Sequence, residues 1–176
     1  MSTLSIPVTH APATHAASQS GPLGQLARRV LATEDAVAPT IARLALGLVI
    51  LPHGLQKTIG AFGGYGFDGT MGFLTGTIGL PWIVAFTVIA IETLGALALI
   101  VGAGSRLAAL GVASVMLGAV ATTHLSNGFF MNWSGAQTGE GFEYHLLALA
   151  LAAVVFVAGG GRASLDGIWT RKRADA

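Results

Sequence analysis

The 176-residue chain contains no cysteine. That excludes disulfide exchange, thiolate nucleophiles, cysteine-ligated zinc and iron–sulfur clusters built on its own side chains. Redox chemistry through a quinone, a haem or a histidine-bound metal stays open. Charge is almost as scarce. Only 10% of residues are Asp, Glu, Lys or Arg, against roughly 25% in an ordinary soluble domain. That is too little to clothe a water-facing surface. A net charge of +1 leaves no global basic field to attract nucleic acid. The basic residues therefore inform through their positions.

Apolar residues make up 53% of the chain and fall in long runs. A helix crossing a bilayer needs about 20 mainly apolar residues. Segments at about 40–59, 81–101, 107–130 and 144–158 meet this need, the last being short. The runs are rich in Ala and Leu and lack period-2 alternation, so strands are excluded. The expected fold is all-α, an integral membrane four-helix bundle occupying 39–161. Residues 1–38 are expected to be a disordered or surface-associated segment. They lack the basic start and apolar stretch of a secretory signal peptide. Residues 1–19, with His10 and His15, read as a disordered tail, and 21–35 as a short helix on the membrane surface. Residues 162–176 form a basic tail. In the loop 60–80, Asp68 is placed to cap a short interfacial helix carrying Met71, Phe73 and Leu74. Trp82 and Trp133 fall at membrane interfaces, where amphipathic rings concentrate.

Orientation follows from Lys and Arg near the span ends. Arg28 and Arg29 precede the first span, Arg106 lies between the second and third, and Arg162, Arg171, Lys172 and Arg173 follow the fourth. With four spans these share one side. The opposite side holds Lys57 with Asp68, Glu140 and Glu143. Both termini are thus expected in the cytoplasm, with the protein in a bacterial inner membrane.

Ionisable groups inside a membrane cost about 2.5–3.5 kcal/mol each on insertion scales and usually face the bundle interior. His53 and Lys57 are four residues apart and share one helical face. Glu92 falls mid-span, His124 lies near the end of the third span, and Glu143 and His145 open the fourth. In the four-span topology these groups gather between the bilayer middle and its outer surface. One reading is structural: Glu92 pairs with Lys57 or His53, and the rest tie the helices together. The other is a polar pocket for a ligand head group, with Glu92 and a histidine exchanging protons. A metal or bis-histidine haem site on His53, His124 and His145 is a weaker alternative. Glu143 and His145 lack the i, i+4 spacing that would put two ligands on one helical face. Pro52, just before His53, removes a backbone hydrogen bond and is expected to kink the first span.

Two patterns carry less. Gly64-Tyr65-Gly66-Phe67-Asp68-Gly69 matches G-x-G-x-x-G, but no strand precedes it, so it does not indicate a nucleotide site. Ser114, Gly118 and Thr122 form a small-residue stripe on the third span, expected to pack closely against a neighbouring helix within the bundle, with a dimer face as the alternative.

Further pieces lie in order along the chain. They are Arg43-x-x-Leu46-Gly47-Leu48-x-x-x-Pro52-His53-Gly54-x-x-Lys57, Phe62-Gly63-Gly64, Gly79-Leu80-Pro81, Glu92 and Gly102-x-x-Ser105-Arg106-Leu107-Ala108-Ala109. Phe129-Phe130, Gly141-Phe142-Glu143-Tyr144 and Gly160-Gly161-Arg162-x-Ser164-Leu165-Asp166 follow. In these pieces the chain resembles the DoxX family of small bacterial membrane proteins. The resemblance implies a four-helix membrane bundle and a place beside membrane redox systems. The related DoxD subunit belongs to a thiosulfate:quinone oxidoreductase, and other members accompany oxidoreductase complexes in oxidative-stress defence. Similar four-helix proteins such as DsbB combine cysteines with quinone, and the missing cysteines bar that mechanism here.

The leading expectation is an accessory subunit of a membrane redox complex, partnered by the bilayer and other subunits. Its polar cluster of His53, Lys57, Glu92, His124, Glu143 and His145 would hold a quinone head group. Whether the chain is itself an enzyme stays open; if so, it is a quinone-linked oxidoreductase subunit without thiol chemistry. The alternatives are a non-enzymatic scaffold or assembly factor and a small-solute or metal-handling membrane protein. No nucleic acid or nucleotide partner is expected.

Overall fold

A computed structural model describes residues 21–174, and the expected disordered tail with His10 and His15 lies outside them. All regular structure among the described residues is helical. We number the helices α1 (Pro22–Leu31), α2 (Val37–Thr58), α3 (Gly66–Gly72), α4 (Trp82–Val101), α5 (Ser105–Asn127), α6 (Glu143–Ala158) and α7 (Leu165–Ala174). Of these, α2, α4 and α5 are long and apolar enough to cross a membrane. Helix α6 is apolar but has 16 residues, roughly 24 Å at 1.5 Å per residue.

The local structure adds detail to these expectations. Helix α2 is continuous through Pro52. A helix appears in the 60–80 loop, but Tyr65 occupies its N-cap position and Asp68 lies within its first turn. The segment 165–174, read from sequence as tail, is helical. Wide π-helical turns interrupt α4 at Ile91–Gly95 and α5 at Val120–His124.

One core joins α2, α4, α5 and α6 around Leu46, Ile50, Leu99, Val112, Ala152 and Val155. Glycines set the spacing. A Cβ on Gly54 would lie 2.5 Å from the Glu92 carbonyl oxygen, and one on Gly47 would lie 3.0 Å from that of Ala96. Helices α2 and α4 therefore touch backbone to backbone, as small residues permit in membrane interfaces.

At the end where α1 and α7 pack, Arg43 is 1% exposed. Its Nε donates to the Gly160 carbonyl at 2.8 Å and Nη2 to that of Ala163 at 2.6 Å. Nη1 donates to the carbonyls of Leu99 and of Ile100. The last two belong to the final turn of α4, whose carbonyls carry the negative end of the helix dipole. Arg43 is thus satisfied by backbone. Beside it, the Asp166 carboxylate accepts the Gly104 and Ser105 amides at 2.7 and 2.8 Å. It caps the start of α5 from a distant part of the chain.

A candidate ligand cavity between the helices

At the opposite end, α2, α4, α5, α6 and the loop before α6 enclose a cavity of about 500 Å³. That lies within the roughly 300–1,000 Å³ typical of ligand sites. Leu74, Val84, Val88 and Ile91 supply apolar wall. Its ionisable side chains come from four helices and a loop: His53 and Lys57 from α2, Glu92 from α4, His124 from α5, Tyr144 and His145 from α6, and Glu140 from the loop before α6.

Local structure explains the convergence. The contact of Gly54 with the Glu92 backbone sets α2 against the π-helical turn that carries Glu92. Such turns redirect side chains and recur at functional sites. Lys57 lies one helical turn beyond His53, and its Nζ is 2.5 Å from Glu92 Oε2. The carboxylate side chain is 7% exposed and the lysine 25%. The His53 and Tyr144 ring centroids are 5.8 Å apart, and those of His124 and His145 are 4.2 Å apart.

The histidines differ in their partners. His124 Nδ1 donates to the Glu140 carbonyl at 2.8 Å. A carbonyl only accepts, so Nδ1 carries the proton and Nε2 of the neutral ring is an acceptor. His145 is buried, and its Nδ1 has no hydrogen-bond partner among the described residues; neither has the buried Tyr144 hydroxyl. An unsatisfied buried polar group costs about 1–3 kcal/mol. A polar ligand atom or an ordered water in this corner would relieve that cost.

Of the sequence candidates, His53, Lys57, Glu92, His124 and His145 reach the cavity, whereas Glu143 does not line it. Glu143 Oε1 instead accepts the Met131 amide and Trp133 Nε1, each at 3.0 Å, fastening the loop before α6. Tyr144 was overlooked as a site residue, although its place between two candidates was the available signal. Arg43 was also overlooked. It is an intramembrane charge far from the others, so the ionisable groups do not all gather in one half. Among the described residues, no three His, Asp or Glu side chains group as a metal site would require.

The stripe Ser114, Gly118 and Thr122 does not pack within the bundle. All three residues are exposed and line the cavity rather than packing against a neighbouring helix.

Apolar helices long enough to span a bilayer, arranged around a cavity holding a buried ion pair, define a membrane protein with a candidate ligand site. The DoxX family model matches residues 38–125, half of the chain, and the protein belongs to that family. A Bacillus subtilis (strain 168) protein named "Putative oxidoreductase CatD" is 30% identical over 115 residues, covering 65% of this chain and 75% of that protein. No solved structure matches.

Proposed function

We propose that the protein crosses a bacterial inner membrane four times, with both termini in the cytoplasm, and serves as an accessory subunit of a membrane redox complex. On this reading α6 is the fourth crossing, with Gly159 and Gly161 closing its inner end. The cavity takes a quinone head group. The observation that carries this is the Lys57–Glu92 pair, 2.5 Å apart in a largely apolar cavity that also holds Tyr144 and His145. Charge inside a membrane span is costly and marks sites of function. The name of the Bacillus subtilis relative adds support for a redox role.

The residues present fit a quinone. Its ring would lie against the apolar wall, and its carbonyl oxygens would take hydrogen bonds from the Tyr144 hydroxyl and the Lys57 ammonium. A bound quinone supplies two-electron, two-proton chemistry. His124 Nε2 and Glu92 are the groups able to exchange protons beside it. This chain then binds, orients and shields the ring, and partner subunits supply the electrons.

The direct test is to purify the full chain in mild detergent and titrate it with a benzoquinone, comparing wild type with Glu92→Gln. Saturable binding that weakens in a well-folded variant supports the proposal. No binding to wild type overturns the quinone reading. The topology is tested separately, since the chain has no cysteine of its own. Single cysteines at the exposed positions Ala163 and Tyr65 should label from opposite faces, and labelling of both from the outer face would overturn the four-crossing arrangement.

A further inference from the structure

We propose that the cavity is filled from the side, through a slot between α4 and α5, and that its ligand carries a hydrocarbon tail lying in that slot. This rests on the quinone reading of the preceding subsection and specifies the class of quinone: a membrane-resident amphiphile rather than a water-borne ring.

The slot follows from how the two helices part. Near the bilayer middle they touch, since a Cβ on Gly111 would meet Ile91 side-chain carbon at 3.3 Å. Gly118, two turns further along α5, would meet nothing within 4 Å. Between these helices, exposed Val84 and Thr87 on α4 and exposed Ser114, Gly118 and Thr122 on α5 line the same cavity as Lys57 and Glu92. The opening is thus continuous with the polar corner, where His145 is buried with Nδ1 unpartnered.

The slot walls are chemically suited to a chain of CH₂ and CH₃ groups. Four hydroxyls occur there; that of Thr123 lies 3.3 Å from Thr122 Oγ1, and the other three are each satisfied by the carbonyl four residues back. Thr87 Oγ1 donates to Ile83 at 2.7 Å, Ser114 Oγ to Leu110 at 2.9 Å, and Thr122 Oγ1 to Gly118 at 2.8 Å. Such back-bonding leaves methyl and methylene surface facing the slot. The slot therefore presents no unmet hydrogen-bond demand, while the far corner of the cavity presents two. That polarity gradient matches an amphiphile with a polar head inward and an apolar tail outward. A water-soluble ring would have no use for the slot.

Gly118→Phe places a ring in the open space without a clash at its Cβ, so the helix is expected to fold. Ser114→Leu narrows the same slot independently, and a gel-filtration profile verifies each variant. The full chain in lipid nanodiscs is titrated with a prenyl-tailed benzoquinone and with the same ring lacking the tail. Blocking the slot should weaken the tailed quinone by about tenfold or more, an effect readily resolved in a titration. The tailless ring should bind both variants within about twofold of wild type, below the tenfold that corresponds to 1.4 kcal/mol. Equal binding of the tailed quinone to wild type and both variants would overturn the slot while leaving the quinone site standing. Failure of wild type to bind either quinone would overturn both.

Discussion

The two ends of the molecule each bury charge, but they treat it differently. At the Arg43 end, the guanidinium reaches four backbone carbonyls and the Asp166 carboxylate reaches two amides. These groups bond to the chain itself at helix ends. The buried Ser105 Oγ beside them has no hydrogen-bond partner among the described residues, but it does not line the cavity. At the Glu92 end, the charges meet one another beside open volume, and the Tyr144 hydroxyl and His145 Nδ1 are left without partners. A buried polar group fully satisfied by backbone serves the fold. One left partly satisfied at the edge of a cavity invites an occupant. Depth in the membrane does not make this distinction, whereas the fate of each hydrogen bond does.

The contrast predicts opposite responses to mutation. The largest effect on folding should come from Arg43→Ala. It strips partners from carbonyls of α4 and of the 160–163 segment and leaves a void, a loss of about 4 kcal/mol or more. Folded yield in detergent should collapse, and normal yield would mean that the arginine is not the tie between α2, α4 and the segment after α6.

Next is Gly54→Leu, which forces α2 away from the Glu92 backbone. Overpacking at such a contact costs about 1–3 kcal/mol. Because it also moves Lys57 off Glu92, thermal stability and ligand affinity should fall together in this variant. A variant that loses neither would show that the close approach of the two helices is not what sets the site.

Asp166→Asn should cost about 1 kcal/mol, the usual scale for a lost helix cap. The amide can accept only one of the two backbone donors and brings no charge to the α5 dipole. The readout is a modest drop in the thermal midpoint with ligand affinity unchanged. A change in affinity would couple the two ends and blur the distinction between them.

Ser114→Ala sits at the bottom of the scale, within about 0.5 kcal/mol, because its hydroxyl bonds only to its own helix. A larger loss of stability would indicate that the stripe packs against something after all.

Much of this arrangement was legible in the residues. The apolar runs located the three long helices and α6 to within a few residues, because bilayer length is a strong constraint. The i, i+4 pair His53 and Lys57, and the cost of burying Glu92, pointed to a common corner. The π-helical turns were not legible, since they arise from packing between helices rather than from any residue pattern. For the same reason Ser114, Gly118 and Thr122 looked like a packing stripe. Small residues permit close approach, and only the divergence of α4 from α5 shows that here they face a gap. At Pro52 the helix continues through the residue, and Pro lacks the amide that would close one backbone hydrogen bond. Arg43 was open to the same cost argument as Glu92. It was overlooked because its partners are carbonyls contributed by distant segments, which carry no side-chain signal.

The most direct test of the distinction between the two ends is Glu92→Gln, with thermal midpoint and quinone affinity measured on the same preparation. Lys57 lies in the last turn of α2 and is 25% exposed, so its ammonium can turn toward water when the carboxylate is neutralised. The loss of stability should therefore be held to about 1–2 kcal/mol, within the scale of one lost buried hydrogen bond, while affinity for a benzoquinone falls by about tenfold or more. A collapse of the midpoint with affinity unchanged in the folded fraction would contradict this, and would make the Glu92 end as structural as the Arg43 end.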